Sequence, residues 1–240
     1  MTLPSGDGVP YPDFAQPLAA ATRSCREVQS ITAELGLSGR VGTTKLRGRA
    51  LVGAAVPDGI RLEALAPFGP PVFVLASSGG TATLLLPRDD RVLRDAKPER
   101  IVEALTGVSI DPASLRSALT GCGIDVASPI GARSYGAQWL AIEAGNGQML
   151  FLEEVAGAWR VRGARTAAFT LTYDELGPAQ PTRLTIRASG TVAAEIRLRL
   201  SQVEVNTQLG PEAFDVQVPP DAAPLTIEEL REAGPLGEKR

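Results

Sequence analysis

Apolar and polar residues alternate with a period of two along most of the chain after residue 30. The run 194–200 is the cleanest example, because apolar residues hold every second position and charged residues stand between them. The runs 45–52 and 60–64 follow a similar pattern. A period of two places side chains on alternate faces of a β-strand, so the pattern predicts strands with one buried and one solvated face.

Short turns separate these runs. The turns 42–44 and 57–59 contain the Gly, Pro, Asp and Thr residues of tight connections, which predicts an antiparallel meander. The segment 214–218 adds a brief alternation of apolar residues. The predicted strands are 31–41, 45–52, 60–64, 72–76, 81–86, 138–143, 148–155, 159–163, 168–173, 183–187, 194–200 and 202–207. Two of them, 72–76 and 81–86, are apolar on both faces, so another element must cover their second face.

Three stretches change to the helical period of about 3.6. We predict amphipathic helices near 13–29, 98–106 and 111–120. Asp13 and Asp111 are the predicted N-caps of the first and third helices, and Gly107 and Gly121 are predicted to end the second and third. The second and third helices interrupt the meander, so they are the predicted cover for the sheet.

The two ends of the chain differ from the rest. Residues 1–12 are rich in Pro and Gly, which favours an extended tether. Residues 221–240 form a C-terminal tail with a brief helix predicted at 227–232 and a frayed polar end at 237–240. A single domain is therefore expected over 13–220.

More than ten strands with one apolar face each cannot stay flat in water. They must curl into a barrel-like shell or pair as a sandwich. A sandwich fills its own interior, whereas a curved sheet needs a plug, and the inserted helices provide one. The predicted fold is mainly β, a curved and unclosed antiparallel half-barrel with a helical plug.

The amino-acid composition makes several classes of function less favourable. Hydrophobic residues make up 44% of the 240 residues, enough for a substantial core. A net charge of -3 gives no general attraction for nucleic acid. Histidine is absent, which removes the commonest general base and metal ligand. No apolar run reaches the ~18 residues of a spanning helix. No catalytic residue, metal site or cofactor is predicted.

Several segments resemble the outer-membrane lipoprotein receptor of the Lol lipoprotein-sorting pathway, a member of the LolA/LolB-like superfamily. The run 60–69, Ile-Arg-Leu-Glu-Ala-Leu-Ala-Pro-Phe-Gly, is similar to that family's strand and protruding Pro-x-Gly loop. The runs 101–107 and 110–121 are similar to its helix, proline and Leu-Arg-x-x-Leu-x-Gly sequence. The opening Leu35-x-Leu37-x-Gly39-Arg40 is similar to its first strand. The specific similarity covers roughly the first half of the chain.

The resemblance implies an interior that accepts lipoprotein acyl chains, on the periplasmic side of the bacterial outer membrane. It also implies a lipidated N-terminal cysteine as anchor and, as a partner, a periplasmic carrier protein. No cysteine lies near residue 1, so such an anchor is not part of this chain. Phe68 stands where the familiar receptor has leucine, and Cys25 and Cys122 lie outside the family pattern, which indicates a divergent member.

Three groups of residues are candidates for function. The loop Phe68, Gly69, Pro70 and Pro71 either presents an apolar tip to a membrane or partner, or folds back onto the sheet edge. Cys25 and Cys122 form either a disulfide between two helices or two buried thiols. The predicted lining of an apolar groove, whose members could equally be plain core, is Leu35, Leu37, Leu62, Ile101, Leu105, Leu115 and Leu119.

The leading hypothesis is a protein that binds acyl chains of lipoproteins or other lipids and transfers them. The alternative is a non-catalytic interaction or lipoprotein-sensing module with the same shell and no transferred ligand. A third, an enzyme with a carboxylate site, has little support because the adjacent pairs Asp89-Asp90 and Glu153-Glu154 fit turn and strand positions. The alternating Arg47, Arg49, Arg197 and Arg199 indicate a solvated face or a stripe that meets lipid headgroups.

Overall fold

One large sheet dominates the fold, and two meanders of consecutive strands build it. The computed structural model describes residues 1–126, 128–190 and 192–233. Within these residues the strands are β1 (Val9–Pro10), β2 (Ser30–Val41), β3 (Thr44–Ala55), β4 (Gly59–Leu65), β5 (Phe73–Ser78), β6 (Thr81–Leu86), β7 (Arg91–Ala96), β8 (Pro129–Tyr135), β9 (Trp139–Ala144), β10 (Met149–Val155), β11 (Ala158–Arg165), β12 (Thr170–Leu176), β13 (Pro181–Ser189), β14 (Ala193–Val205) and β15 (Ala223–Pro224). The helices are α1 (Ala15–Arg26), α2 (Pro98–Thr106), α3 (Pro112–Thr120) and α4 (Ile227–Ala233), with a 3-10 turn at Pro211–Phe214.

The two meanders meet at the centre of the sheet. Strands β2 to β7 form one and β8 to β14 the other, and the last strand of the second, β14, pairs antiparallel with the first strand of the first, β2. The outermost pairs are β1 with β8 and β7 with β15, and these two edges do not pair with each other. The sheet is therefore open, and the predicted unclosed half-barrel is confirmed.

The period-two pattern decides which side chains enter the core. Directly paired residues share a face of the sheet, and Leu35 pairs with Ala50 while Val52 pairs with Leu62. On β14, Ile196 and Leu198 are buried, and the arginines between and after them are exposed. The inner faces of both meanders thus contribute to one continuous apolar core.

Helices cover the inner face of the sheet. Helix α1 packs on β10 and β11, α3 packs on β2 and β3, and α2 lies against β6 and α4. Gly107 and Gly121 end α2 and α3 with left-handed φ angles of 71° and 92°, as the sequence predicts. Asp111 caps α3, because its carboxylate accepts the backbone N–H of Ser114 at 2.9 Å. The prediction that Asp13 caps α1 is wrong, since Phe14 occupies that position without a side-chain bond.

A disulfide and a buried tyrosine hold the C-terminal end of α3 in place. A disulfide joins Cys25 of α1 to Cys122, two residues after α3, with 5.5 Å between their Cα atoms. The fully buried Tyr173 of β12 donates its hydroxyl proton to the carbonyl of Ala118 at 2.7 Å and accepts the N–H of Gly123 at 2.9 Å. Burial raises the pKa of Tyr173 far above its ordinary value, although the Gly123 bond opposes the rise, so the hydroxyl stays neutral.

Some sequence-based boundaries are wrong. Strand β8 is missing from the predicted strands because its sequence alternates poorly, and the predicted strand 138–143 corresponds to β9. The predicted strands 194–200 and 202–207 are one strand, β14, with a register shift between Ser201 and Glu204. The segment 214–218 forms no strand, although its first residue ends the 3-10 turn.

The N-terminal segment is attached to the sheet. Leu3 is buried against Ala141 and Phe151, and strand β1 pairs with Arg133 and Ser134 of β8. The predicted tether over residues 1–12 is therefore wrong, since the unpaired backbone edge of β8 offers hydrogen-bond partners to an extended segment. At the other end, the brief predicted helix corresponds to α4. The polar end 237–240 lies outside the described residues.

The Tyr173 hydroxyl predicts a measurable contribution to stability. Tyr173→Phe should lower the free energy of unfolding by about 1–2 kcal/mol, because a buried network loses the group its members share. Urea denaturation measures the change. Tyr135→Phe is the matched control: that hydroxyl donates to Gly6 at 3.1 Å on the surface, and its loss should change stability by less than about 0.5 kcal/mol. Equal effects of the two substitutions would contradict the proposed coupling of α3 to β12.

Candidate functional site

An apolar cavity of about 160 Å³ lies between the centre of the sheet and the connection from α2 to α3. Six consecutive strands of the sheet, β13, β14, β2, β3, β4 and β5, form its floor. Their inward-facing residues at the cavity are Leu35, Leu37, Gly48, Ala50, Leu62, Ala64, Phe73, Ile186, Ile196 and Leu198. The helices and their connection supply the roof: Val102, Thr106, Val108, Ile110 and Leu115. The cavity therefore lies at the junction of the two meanders, under the helices that interrupt them.

The interior of the cavity holds almost no polar chemistry. Thr106 is the polar side chain of its roof, and its hydroxyl is occupied by the backbone, since it donates to Val102 at 2.7 Å and accepts from Val108 at 3.2 Å. Arg47 and Arg49 line the cavity from the exposed face of β3, at its rim. An interior of this kind can bind apolar groups and offers no acid, base or nucleophile to a reaction.

The rim exists because neighbouring strands differ in length. Strand β4 ends at Leu65, opposite Arg49, so residues 44–48 of β3 pair with β2 on one side and with no strand on the other. The chain leaves β4 at this point and returns in β5, and Leu65 and Val72, at the two ends of this loop, both line the cavity. The cavity thus adjoins a free strand edge and an exposed loop.

The loop between β4 and β5 carries an exposed aromatic tip. Phe68 is 89% exposed, and the guanidinium of Arg88 donates hydrogen bonds to the carbonyls of Phe68 at 2.7 Å and of Pro70 at 3.3 Å. Gly69 has a left-handed φ of 77°, and Pro70 and Pro71 follow it, which restricts the backbone further. The alternative that Phe68 folds back onto the sheet is therefore wrong.

The size of the cavity limits what it can hold. A dry protein cavity of ~150 Å³ accommodates one benzene molecule. The observed volume is similar, so it admits a small ring or a few methylene groups. A longer apolar chain could enter only if the rest of it left by the rim, or if the helical roof moved away from the sheet.

The structure brings together part of the predicted groove. Leu35, Leu37, Leu62 and Leu115 line the cavity. Ile101, Leu105 and Leu119 do not; each is almost completely buried in the continuous core. Helical spacing identifies the apolar stripe of a helix but not which of its residues contact side chains and which face empty space, so a ligand-binding role for these three residues stays a prediction.

The sequence-based prediction of the cavity lining missed Gly48, although the sequence contains a clear signal for it. It occupies an inward position of β3 between the buried Leu46 and Ala50, and a Cβ atom added there would meet nothing within 4 Å. A residue without a side chain at an inward position of an alternating strand indicates space under the sheet. The remaining missed residues come from β13 and β14, whose position beside β2 depends on the long-range pairing.

The described residues contain neither a cluster of metal ligands nor a membrane-spanning helix. No group of three or more cysteine, aspartate or glutamate side chains is arranged to hold a metal ion there. Among the same residues, no helix has both the length and the apolar character needed to cross a membrane.

Comparison with known proteins identifies the fold. No protein-family model and no curated protein sequence matches the chain. Solved structures do match. A LolA superfamily protein from Nitrosomonas europaea superposes with a TM-score of 0.57 and 13% identity, over 84% of this chain and 96% of that one.

Two further structures share the architecture. A DUF1329 family protein from Desulfovibrio piger has a TM-score of 0.52 and 11% identity, over 85% of this chain and 98% of that one. A domain named for outer-membrane lipoprotein sorting, from Vibrio parahaemolyticus, has a TM-score of 0.50 and 12% identity, over 82% and 97%. The chain therefore has the LolA-like fold, and the resemblance seen in the sequence is confirmed at the level of the fold.

Filling the cavity provides a direct test of its accessibility. Gly48→Phe should abolish benzene binding measured by titration calorimetry, because the ring would occupy the empty space under β3. Stability should change by less than about 1 kcal/mol, since the new Cβ meets no atom within 4 Å. Gly36→Phe is the matched control on the outward face of β2 and should leave benzene binding intact. Benzene binding that survives Gly48→Phe would place the ligand elsewhere.

Proposed function

We propose that the protein is a non-catalytic lipid carrier of the bacterial envelope, which takes acyl chains of lipoproteins or other lipids into the apolar cavity. The observation that carries the proposal is the combination of an apolar cavity, an open rim and an exposed Phe68 on a restrained loop beside that rim. A carrier needs an apolar site that a chain can enter from the side, and it needs no catalytic group.

The binding energy for such a ligand is sufficient. Burial of one methylene group contributes about 0.8 kcal/mol, so about ten methylenes contribute several kcal/mol even in a partly dry groove. The observed volume holds only a few of them. The rest of a longer chain must therefore leave by the rim, or the roof formed by α2, α3 and their connection must move outward while the disulfide at Cys122 and the Tyr173 hydroxyl hold the far end of α3 to α1 and β12.

The proposed location is the periplasmic side of the outer membrane, with a periplasmic carrier protein as donor of the lipid. Two observations support it: the LolA-like fold, shared with a domain named for lipoprotein sorting, and the exposed Phe68 next to the rim. A disulfide between α1 and the segment after α3 also suits an oxidising compartment.

A sensing or interaction module is the second candidate, and the small volume of the cavity favours it. Ile101, Leu105 and Leu119 are almost completely buried in the core and do not line the cavity. In that case no chain is taken up, and partners bind at the rim and the Phe68 loop.

An enzymatic role has no support from the arrangement of carboxylates. Asp89 and Asp90 lie in the turn between β6 and β7. Glu153 forms an ion pair with Arg162 at 3.0 Å on the outer part of the sheet. Neither pair adjoins the cavity.

Substitution of the loop tip separates uptake from transfer. Phe68→Glu should leave the affinity for a fluorescent fatty acid within about two-fold of wild type, because Phe68 does not line the cavity. It should slow transfer of the bound fatty acid to phospholipid vesicles at least about ten-fold, since a carboxylate replaces the apolar contact with the bilayer interface. Stopped-flow fluorescence measures both quantities. Ile130→Glu, which changes a 69% exposed residue on β8, is the matched control and should alter neither.

The outcomes distinguish the candidates. Saturable uptake with impaired transfer supports the carrier. Absence of any saturable uptake by the wild-type protein supports the sensing module instead. Loss of uptake in Phe68→Glu, or transfer that the substitution does not affect, contradicts the role proposed for the loop. Turnover of a substrate would instead support an enzymatic function.

A further inference from the structure

The outward face of β14, β2 and β3 is strongly basic although the whole protein carries a net charge of -3. Register places the basic residues in rows across the three strands. Arg197 pairs with Ser38, which pairs with Arg47, and the next row joins Arg199, Gly36 and Arg49. We call this surface the basic face. Arginines therefore flank the small residues Ser38 and Gly36 on both sides.

The basic face contains more positive charge than its carboxylates neutralise. Glu195 contacts both Arg187 and Arg197, and Glu34 contacts Arg49 at 3.2 Å. Within the part of the chain that the structure describes, four exposed cations of this face have no carboxylate within ion-pair distance: Arg40, Lys45, Arg47 and Arg199.

One of these cations directly opposes another. Arg40 of β2 and Lys45 of β3 are register partners, so two like charges face each other across the strands. Glu195 is the partner of Arg40 on β14, but its carboxylate forms its ion pairs with Arg187 and Arg197. Like charges in this arrangement destabilise a sheet. An anion that neutralises both would remove the repulsion, which points to a negatively charged ligand for this surface.

The shape of the basic face suits a flat, extended anion array. Neighbouring strands are ~4.8 Å apart, so the arginines of one row stand ~10 Å apart with a small residue between them. Gly36 and Ser38 leave the floor of this trough shallow and accessible. Several phosphate groups spread over a surface could each reach a guanidinium. A single small anion would not be enclosed, because the basic face is open to solvent.

The basic face adjoins the rim of the cavity. Arg47 and Arg49 belong to the face and also line the cavity at its rim. Strand β4 runs antiparallel to β3 and ends opposite Arg49, so its loop continues toward the end of β3 that carries Arg47 and Lys45. The exposed Phe68 therefore lies at the same end of the sheet as the unpaired cations, which places an apolar tip beside a cationic surface.

We propose that the basic face binds the anionic headgroups of a phospholipid bilayer and so brings the rim of the cavity to the membrane surface. Cations near such a surface gain attraction from its negative potential, and an exposed aromatic ring beside them can enter the interface. The inference builds on the proposed function, because a membrane-bound rim would let a lipid pass between bilayer and cavity.

Vesicle flotation with the complete chain tests the proposal. The probes are vesicles of phosphatidylcholine alone and of equal parts phosphatidylglycerol and phosphatidylcholine. Wild-type protein should bind the anionic vesicles in about 0.1 M salt and be released in about 1 M salt, where the Debye length falls from about 10 Å to about 3 Å. The variant Arg40→Gln, Lys45→Gln, Arg197→Gln, Arg199→Gln, which leaves the cavity-lining Arg47 in place, should lose at least about 100-fold in partition coefficient, since each cation contributes roughly five-fold.

A matched variant controls for net charge. Arg23→Gln, Arg94→Gln, Arg100→Gln, Arg160→Gln removes the same number of exposed cations from α1, β7, α2 and β11. It should retain binding within about five-fold of wild type. Circular dichroism and benzene binding by both quadruple variants verify that the fold and the cavity remain.

Three results would overturn the proposal. Equal binding to neutral and anionic vesicles would assign membrane contact to Phe68 alone. Equal loss in the two quadruple variants would show attraction by overall charge without a particular face. Binding to an immobilised acidic polypeptide without binding to anionic vesicles would assign the face to a protein partner.

The cavity variant separates this proposal from the proposed function. Gly48→Phe should lose fatty-acid uptake and keep vesicle binding, whereas the basic-face variant should keep uptake and lose vesicle binding. Wild-type protein that binds vesicles without taking up fatty acid would refute the carrier and leave the membrane contact standing.

Discussion

The open sheet imposes the constraint on which the rest of the structure depends. Its two edges do not pair with each other, so the concave side cannot close by adding a strand and must be covered by other parts of the chain. Helices provide that cover, and they pack on the sheet through side chains alone. A helical roof of this kind can leave space beneath it in a way that a continuous hydrogen-bonded barrel cannot, and the cavity lies where the roof meets the centre of the sheet.

The cover is attached unevenly, which has consequences for motion. The far end of α3 is tied to α1 by the Cys25–Cys122 disulfide and to β12 by the hydroxyl of Tyr173. The connection between α2 and α3, which supplies Val108 and Ile110 to the roof, has no such link to the sheet among the described side-chain contacts. Displacement of the roof by a ligand would therefore begin at this connection, with the end of α3 as the fixed point.

The same strands create both the apolar cavity and the basic face. On β2, β3 and β14, one set of alternate residues enters the core and the other set faces solvent, so a single period-two pattern separates the apolar cavity from the basic face by the thickness of one sheet. The two surfaces meet where β3 extends beyond the end of β4, at Arg47 and Arg49. The unequal lengths of β3 and β4 thus decide where the protein could contact an apolar ligand and an anionic surface at the same time.

The sequence by itself determined the secondary structure of most of the chain and the class of the fold, because alternation, turn residues and the glycines that end α2 and α3 are local signals. It also identified Leu35, Leu37, Leu62 and Leu115 as apolar residues facing inward. Only the tertiary structure decided that these four line a cavity while Ile101, Leu105 and Leu119 are packed core. The reason is physical. Burial of a side chain follows from its own chemistry and from the local period of the sequence. Empty space depends on which distant strands are neighbours in the sheet, and no local sequence pattern predicts that β14 pairs with β2.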